Sequence, residues 1–495
     1  MDEKTLAILE FPKILERLAG YCAFSASQEM ALALRPSTDL FEVRRRQQVT
    51  SEAVQFLVTH SDVSIGGTRD VRPQVDLAQH GAVLSPTELL DIKQTLVSAR
   101  TLARTFERAA EQYPALFDIV AQLAPPVGLV DAVTRTISER GDVLDSASEK
   151  LASVRRELRV VHERLMAKLQ RMVGDPHNAP YLQEAIITQR EGRYVIPLRA
   201  EFKGRIRAII HDQSQSGATL FVEPLNVVEQ NNQYRELQLA ERDEERRILT
   251  ELSRQVAING EAIIHTVDVI AALDLALAQA RYAEDLLAVE PGLAELPELG
   301  KPLPKNGHPG SVIRLYQARH PLLDQAKVVS IDVELDPETY ALIITGPNTG
   351  GKTVALKTVG LLALMAQAGM HIPAHSGSEI SVFEAIYADI GDEQSIEQSL
   401  STFSGHITNI IRILEQADRR SLVILDELGA GTDPQEGSAL ARAILSHLLK
   451  RSITTLVTTH HPELKAFAHA TPGVVNASVE FDLETLRPTY RLTIG

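Results

Sequence analysis

A glycine-rich segment between an apolar run and a run of helix formers restricts the fold of this chain more than any other feature. Residues 341–345 read ALIIT, residues 346–353 read GPNTGGKT, and VALK follows. A strand, a loop of this pattern and a helix in succession are typical of a phosphate-binding loop, in which main-chain N–H groups and the helix N-terminus bind phosphates. We therefore predict that the segment binds a nucleotide through Gly346, Pro347, Asn348, Thr349, Gly350, Gly351, Lys352 and Thr353.

Two residues of this loop and two residues further along the chain have distinct predicted roles. Lys352 is predicted to reach the β- and γ-phosphates, and Thr353 is predicted to hold Mg²⁺. A second apolar run, 421–425, ends in Asp426 and Glu427. Asp426 is predicted as the metal-linked carboxylate and Glu427 as the group that polarises the attacking water. Because the sequence contains no guanine-specifying Asn-Lys-x-Asp segment, we predict that the nucleotide is ATP and that it is hydrolysed.

Two further elements accompany these motifs. A third apolar run, 452–459, ends at His460, which is predicted to sense the γ-phosphate and to act with Lys352 and Glu427 in catalysis. The segment Leu400-Ser401-Thr402-Phe403 lies at the start of a predicted helix. Ser401 fits either a helix N-cap or contact with a phosphate, including a phosphate of a partner subunit's nucleotide.

The upstream part of the chain is predicted to be mainly helical. Residues 1–140 carry apolar residues at helical spacing and predict a helical core. Leu144, Leu151, Leu158 and Leu165 recur every seven positions, and a second long charged run follows residue 226. The ranges 141–175 and 226–290 therefore predict an antiparallel coiled-coil arm, with two solvated helices of an ordinary bundle as the alternative.

The remaining boundaries follow from changes of pattern. Residues 176–225 change to a strand-like period at the tip of the arm. Residues 291–310 hold five prolines and four glycines and predict a linker. Residues 311–495 predict an ABC-like phosphate-loop ATPase domain, so that the predicted fold class is multidomain α and α/β.

The charge of the chain restricts where nucleic acid could bind. Lys and Arg number 50 against 65 Asp and Glu, a formal net charge of −15, so any such contact must be local. Residues 201–208 alternate like a strand and place Lys203, Arg205 and Arg207 on one face, with Arg199 just before them. This pattern predicts contact with nucleic-acid phosphates, and a basic strand that serves only solubility is the alternative.

The location of the protein is suggested by what the sequence lacks. A single cysteine, Cys22, forms no disulfide framework. The sequence also has no signal-peptide pattern and no long apolar stretch. These features predict a cytoplasmic protein.

Together the motifs resemble those of the MutS family of DNA-clamp ATPases. The residues that carry the resemblance are Arg319-His320-Pro321, 346–353, 400–403, 426–432 and Thr458-Thr459-His460. Segments 192–202 and 216–224, with Asn231-Asn232, are similar to the second bacterial subfamily, the MutS-two type, which is not a mismatch sensor. Members of this subfamily usually continue into a small MutS-related nuclease domain. This chain is predicted to stop before that domain, so endonuclease activity is not expected from these residues.

The resemblance also implies an architecture and a role. It implies a homodimer with two ATP sites, each completed by the Ser401 region of the other subunit. A helical core and a coiled-coil lever would relay the nucleotide state to a clamp, 176–225, which closes on branched DNA and suppresses homologous recombination. The alternative role within the family is the separation of collided ribosomes through contact with rRNA.

Two other classes of protein fit the sequence less well. ATPases of the SMC type also carry a coiled coil, but it lies between the phosphate loop and the acidic strand. Here only 74 positions separate Lys352 from Asp426, and the arm lies upstream of both. A nucleotide-dependent switch without turnover is the other class, and the presence of Glu427 favours turnover.

Overall fold

The architecture is described from a computed structural model. It covers residues 1–60, 63, 65–298, 307–335, 337–346, 350–391, 399–482 and 487–495, with the main chain alone for 399–403, 481–482 and 487–488. Among these residues, no helix combines the length and the apolar composition needed to cross a bilayer.

The described residues form fifteen α-helices. Their bounds are α1 Glu3–Ile8, α2 Phe11–Ala19, α3 Ser25–Leu32, α4 Leu40–Thr59, α5 Arg72–Gln79, α6 Pro86–Arg108, α7 Pro114–Val120, α8 Leu129–Thr136, α9 Glu149–Val173, α10 Val228–Ile258, α11 Gly260–Asp285, α12 Lys352–Gln367, α13 Ser399–Gln416, α14 Pro434–Lys450 and α15 Pro462–Ala470.

The described strands form three sheets. Their bounds are β1 Thr188–Arg190, β2 Arg193–Arg199, β3 Ala208–Gln213, β4 Thr219–Pro224, β5 Gly292–Ala294, β6 Ile313–Ala318, β7 Ile331–Leu335, β8 Ala341–Thr345, β9 Glu379–Ser381, β10 Ala385–Asp389, β11 Ser421–Leu425, β12 Thr454–Thr459, β13 Val474–Asp482 and β14 Arg487–Ile494. The strand orders are β1-β2-β4-β3, β10-β11-β12-β8-β13-β14 and β5-β9-β6-β7. The predicted combination of α and α/β structure is confirmed.

The described chain divides into two compact units. The first comprises residues 1–66, 101–123 and 268–495, and the second comprises 67–100 and 124–267. Helices α1 to α8 lie within residues 1–140, but those residues contribute to both units. The domain boundaries drawn from sequence patterns stay predictions.

A six-stranded sheet organises the first unit. Strands β10, β11, β12, β8 and β13 are parallel neighbours, and β14 adds antiparallel to β13. Strands β8, β11 and β12 are buried along nearly their whole length because helices cover both faces of this part of the sheet. Ile424 packs in one cluster with residues of α12, and Leu425 packs in another with residues of α13 and α14. The carboxyl ends of β8, β11 and β12 therefore meet at one edge of the sheet.

Helix α12 is bonded at its C-terminal end to the helical part of the first unit. Gln47 of α4 donates to the carbonyl oxygens of Ala366 and Met370, at 2.8 and 2.9 Å. Thr50 of α4 donates to the carbonyl oxygen of Gly369 at 2.6 Å. Ala366 lies in the last turn of α12, and Gly369 and Met370 lie just after it, so these side chains hold the end of the helix and the turn that follows.

The second unit contains a pair of long helices that run antiparallel. Arg155 of α9 forms ion pairs with Glu241 and Glu245 of α10, at 2.7 Å each. His162, further along α9, contacts Tyr234, which lies earlier in α10, with ring centroids 5.4 Å apart. The four-stranded sheet packs against the same helices through a shared apolar core. The predicted pairing of two helices is present, and within the range 226–290 helix α10 ends at Ile258 and α11 begins at Gly260.

The prediction of a basic strand over residues 201–208 is wrong. Residues 200–202 form a single 3₁₀ turn, and β3 begins only at Ala208. The N–H groups of Lys203 and Arg205 donate to carbonyl groups three residues earlier, and Gly204 between them has a φ of 89°. These turns and the left-handed conformation of Gly204 interrupt an extended chain.

Part of the predicted linker belongs to a sheet. Residues 292–294 form β5, which pairs parallel with β9. Residues 299–306 lie outside the described part of the chain. Residues 292–294 of the proline- and glycine-rich segment therefore form an edge strand of a sheet and not a linker.

Candidate functional site

The glycine-rich segment joins the end of β8 to the start of α12. Gly346 and Gly351 have φ values of 135° and 87°, which favour glycine. Gly351 is the N-cap residue of α12, and no described side chain caps this helix start. A helix N-terminus is a favourable place for an anion, because its first N–H groups point out of the helix and its dipole is positive there. Pro347, Asn348 and Thr349 lie outside the described residues, and Gly350 is buried.

Lys352, the first residue of α12, is almost completely buried. The residue is 1% exposed, and its Nζ donates to the carbonyl oxygen of Gly346 at 2.6 Å. The side chain therefore folds back along the loop that precedes it. A buried ammonium at the start of this helix can contribute positive charge to an anion bound in the loop.

Asp426 connects the loop to two neighbouring strands. It follows β11 and is 9% exposed. Its Oδ2 accepts a hydrogen bond from the Thr353 hydroxyl at 2.6 Å, and its Oδ1 accepts one from the Thr458 hydroxyl of β12. The structure thus brings the predicted metal residues, Thr353 and Asp426, together. The sequence analysis named Thr458 only as part of the segment 458–460 and predicted no contact between it and Asp426.

Glu427 lies where the chain leaves β11. Its φ of 48° is uncommon for a residue with a side chain. Its N–H donates to the Thr458 hydroxyl at 2.8 Å, and the N–H of Leu428 donates to the Thr458 carbonyl oxygen at 3.0 Å. Hydrogen bonds to β12 therefore hold the turn at Glu427 in place. The chain leaves the strand at this turn, so the Glu427 side chain no longer follows the alternation of the two strand faces.

His460 and its neighbour differ in burial. His460 is exposed, whereas His461 is 5% exposed, and their ring centroids are 4.4 Å apart. The Nε2 of His461 donates to the carbonyl oxygen of Gly429 at 3.2 Å. A Cβ atom at Gly429 would lie 2.6 Å from the carbonyl oxygen of Gly437. His461, which the sequence analysis missed, therefore supports the tightly packed turn after Glu427.

A buried polar cluster lies beside Asp426 at the end of β10. Asp389 accepts hydrogen bonds from His406 and Asn409 of α13, each at 2.8 Å. The main-chain N–H of Asp426 donates to the Asp389 carbonyl oxygen at 2.8 Å. The pKa of His406 is raised, chiefly by its hydrogen bond with Asp389, with the charges of Asp389 and Asp426 also raising it, while burial and Lys4 lower it. No sequence pattern had indicated this cluster.

Ser401 belongs to the start of α13. Its main chain lies within α13, which begins at Ser399. Its side chain lies outside the described residues. Both interpretations of Ser401, an N-cap and a phosphate contact, stay predictions.

The four basic residues predicted to contact nucleic acid do not share one strand face. They lie along the basic connection, which we define as residues 199–207, between the end of β2 and the start of β3. Arg199, Lys203, Arg205 and Arg207 are all exposed. Arg199 pairs with Thr219 at the start of β4, whereas the carbonyl oxygen of Arg207 accepts a hydrogen bond from Leu225, just after β4 ends. The connection therefore crosses from one end of β4 to the other, a span of about 17 Å for five residue steps.

Comparison with known proteins places these features in a family. MutS domain V matches residues 342–494. A protein named Endonuclease MutS2 from Thermomicrobium roseum is 52% identical over 498 aligned residues, which include this whole chain. The chain belongs to the MutS family. Proteins of the same printed name from Geobacillus sp. and Symbiobacterium thermophilum are 48% and 47% identical, again over the whole chain.

The chain spans about three fifths of the length of these MutS relatives. It covers 62% of the proteins from Thermomicrobium and Geobacillus and 60% of the protein from Symbiobacterium. Within this family match, the MutS domain V region contains Lys352, Thr353, Asp426, Glu427 and His460. The basic connection of the second unit lies outside that region but inside the alignments with whole relatives.

Proposed function

We propose that this chain binds ATP together with Mg²⁺ at residues 346–353 and hydrolyses the ATP. The observation that carries the proposal is the 2.6 Å hydrogen bond between the Thr353 hydroxyl and Asp426. It joins the residue after the loop lysine to the carboxylate at the end of a neighbouring strand. Hydroxyl and carboxylate oxygens are suitable ligands for Mg²⁺, which usually takes few protein ligands and completes its coordination with phosphates and water.

The residues of this edge divide the chemistry among them. Lys352 and the first N–H groups of α12 bind the phosphates and balance their charge. Thr353 and Asp426 hold the metal, which neutralises charge on the phosphates when bound. Glu427 orients the attacking water and accepts its proton, and His460 contacts the γ-phosphate. Thr458 supports this arrangement because it bonds both Asp426 and the main chain of Glu427.

We further propose that the ATP site works within a homodimer. The Ser401 region of one subunit completes the ATP site of the other, as the family resemblance implies. A substitution that disrupts the first turn of α13 in one subunit would then reduce ATP turnover in the other subunit. Dependence of the specific ATPase activity on protein concentration is the measurement that bears on this part of the proposal.

For the second unit we propose binding to nucleic acid. Arg199, Lys203, Arg205 and Arg207 contact phosphates along the connection that crosses β4, and phosphate contacts carry no sequence information. The helices α9 and α10 serve as a coiled-coil lever between this clamp and the ATPase domain. Branched DNA is the proposed partner and control of recombination the proposed role. Although the relatives' names include an endonuclease, we assign no nuclease step to these 495 residues.

The nucleotide proposal is tested by titration calorimetry with a non-hydrolysable ATP analogue and Mg²⁺. Lys352→Ala is expected to abolish detectable binding because the phosphates lose their buried cation. Lys357→Ala is the matched control: it removes a lysine from the same helix, which pairs with Glu10 at 3.1 Å. Unchanged affinity in Lys352→Ala would contradict the assignment of the loop.

A further inference from the structure

We propose that His461 is a positioning residue of the ATPase site, which fixes the relative places of Glu427 and His460. Its buried imidazole joins the turn that carries Glu427 to the segment that carries His460. The inference rests on the proposed ATPase function and deepens it, because it names a residue outside the assigned motifs on which turnover depends.

The first observation is the conformation of the turn after β11. Within residues 427–431, Glu427, Gly429 and Gly431 have φ values of 48°, 89° and 84°. A left-handed main chain costs free energy at a residue with a side chain, such as Glu427, and it persists only where the surrounding structure holds it. The place of the Glu427 turn therefore depends on its contacts with neighbouring elements.

The second observation is that the end of β12 and the residues just after it supply such contacts. The N–H of Leu428 donates to the Thr458 carbonyl oxygen at 3.0 Å, and the Thr459 hydroxyl donates to the Leu428 carbonyl oxygen at 3.3 Å. The Nε2 of His461 donates to the Gly429 carbonyl oxygen at 3.2 Å. Because a carbonyl oxygen only accepts hydrogen bonds, this contact requires the hydrogen of the ring to be on Nε2.

The third observation is the close packing around the His461 ring, which is buried. A Cβ atom at Gly429 would lie 3.0 Å from its Nε2, and a Cβ atom at Gly437 of α14 would lie 3.3 Å from the same nitrogen. The Cβ atom at Gly437 would also lie 2.2 Å from the Gly429 carbonyl oxygen. The ring, the turn and the first turn of α14 are therefore packed together, so that a shift of one displaces the others.

The fourth observation is that His461 follows His460 directly. The ring of His460 is exposed, and its centroid lies 4.4 Å from that of the buried His461 ring. The main-chain N–H of His461 donates to the Thr459 hydroxyl at 3.2 Å, so the chain is held on both sides of His460. A supporting residue of this kind keeps a functional side chain in its productive place. Because the same residue binds Gly429, it couples His460 to the Glu427 turn.

The test measures kcat for ATP hydrolysis and the affinity for a non-hydrolysable ATP analogue with Mg²⁺ in two variants. His461→Phe fills the space but removes the N–H donor, and it is expected to lower kcat about tenfold, because a small displacement of reacting groups is costly. Its affinity for the analogue should stay within about threefold, since the phosphate loop is unchanged. His461→Gln supplies an N–H donor again and should bring kcat to within about threefold of the unmodified chain.

His308→Phe is the matched control. His308 is also buried, and its Nε2 donates to the Thr339 carbonyl oxygen at 3.1 Å, just before β8 and thus at the opposite end of that strand from the phosphate loop. Loss of this imidazole should lower the melting temperature as His461→Phe does, but it should leave kcat unchanged. Melting temperatures and kcat are measured on the same preparations.

The outcomes separate this inference from the proposal on which it rests. An equal loss of kcat in His461→Phe and His308→Phe would show that weakening of the fold alone lowers turnover, and the inference would be overturned. An unchanged kcat in His461→Phe, or a kcat in His461→Gln as low as in His461→Phe, overturns it as well. If the unmodified chain binds the analogue but hydrolyses no ATP, the ATPase proposal fails and this inference fails with it.

Discussion

The main-chain N–H of Glu427 donates to the side-chain hydroxyl of Thr458, 2.8 Å away on the neighbouring strand. The same hydroxyl donates to Asp426. One side chain of β12 thus fixes both acidic residues at the end of β11. Glu427 adopts a left-handed conformation where the chain leaves the sheet. There its N–H is bonded to the Thr458 hydroxyl and not to a main-chain carbonyl oxygen of β12.

Thr458→Val is therefore expected to affect both stability and turnover. The substitution keeps the shape of the side chain but removes its hydrogen bonds to the Glu427 N–H and to the buried Asp426 carboxylate, at a cost of about 1–3 kcal/mol in the free energy of unfolding. We expect a kcat at least tenfold lower with nucleotide affinity changed less than threefold. Thr455→Val is the control, because that buried hydroxyl of the same strand bonds only locally, to the Ile453 carbonyl oxygen at 2.9 Å. Equal kcat values for the two variants would contradict the role of Thr458.

Glu427→Gln is expected to separate binding from hydrolysis. The amide keeps the size of the side chain but cannot accept a proton from water, so turnover should fall by about 10²–10⁴. Binding of the ATP analogue should stay within threefold of the unmodified chain. Steady-state phosphate release and calorimetry on the same preparation check both parts. Glu436→Gln, an exposed change in α14, serves as the control, and near-normal turnover in Glu427→Gln would show that another group activates the water.

Removal of the basic connection is expected to weaken nucleic-acid binding and to reduce its dependence on salt. Each lost phosphate contact lowers the slope of log affinity against log salt concentration by about 0.9. Lys203→Ala, Arg205→Ala and Arg207→Ala together should therefore reduce the slope by up to about 2.7 on branched duplex DNA. Arg254→Ala is the control, because this exposed arginine of α10 is paired with Glu251 at 2.7 Å.

A competition experiment distinguishes the proposed partners of the clamp. Branched DNA, plain duplex and ribosomes are offered together at fixed salt, with and without the ATP analogue. We expect branched DNA to be retained most strongly, with a ratio to plain duplex that changes when the analogue is added. Preferential retention of ribosomes would contradict the proposed role in recombination and would favour contact with rRNA.

His320 is expected to make the first unit sensitive to acid. Burial, aided by the nearby charges of Lys357 and Arg17, lowers its pKa from 6.5 to about 4, and its Nδ1 accepts the Leu322 N–H. Between these pH values the unfolded chain takes up a proton that the folded chain does not. The free energy of unfolding therefore falls as the pH falls through this range, by up to about 3 kcal/mol.

Replacement of this histidine tests the effect. His320→Asn keeps a hydrogen-bond acceptor but does not titrate, so its melting temperature should drop less between pH 7 and pH 4.5 than that of the unmodified chain. His375→Asn removes an exposed histidine of the same unit and should leave the pH dependence unchanged. Parallel pH profiles for His320→Asn and the unmodified chain would show that this ring does not contribute.

The sequence predicted the parts of the candidate site that each lie in one short window. Lys352 and Thr353 follow one strand, and Asp426 and Glu427 follow another, so that periodicity and motif spacing sufficed to place them at strand ends. The contacts of Thr458 and the places of His461 and the pair Asp389–His406 escaped prediction for the opposite reason. Their partners come from other strands and helices, and no local pattern reports a contact between residues brought together only by the parallel sheet.

The error over the basic segment has a local physical cause. Alternation of charged and apolar residues predicts a strand only if the main chain can stay extended. Gly204 adopts a left-handed conformation within two successive turns. Glycine occurs in both extended and left-handed conformations, so the residue type alone did not predict the turn. The same four cations are exposed in the structure, but they are distributed along a crossing connection.

Hydrogen bonds between α4 and the end of α12 connect the helix that follows the phosphate loop to the helical part of the first unit. Helix α12 has sixteen residues and is about 24 Å long. Its first residue is Lys352. The carbonyl groups at and just after its last turn accept hydrogen bonds from Gln47 and Thr50. A shift of α12 along its axis would therefore either break those hydrogen bonds or move α4 with it. If nucleotide binding moves the loop, these bonds would pass the displacement to α4, whose residues lie far from the loop in the sequence.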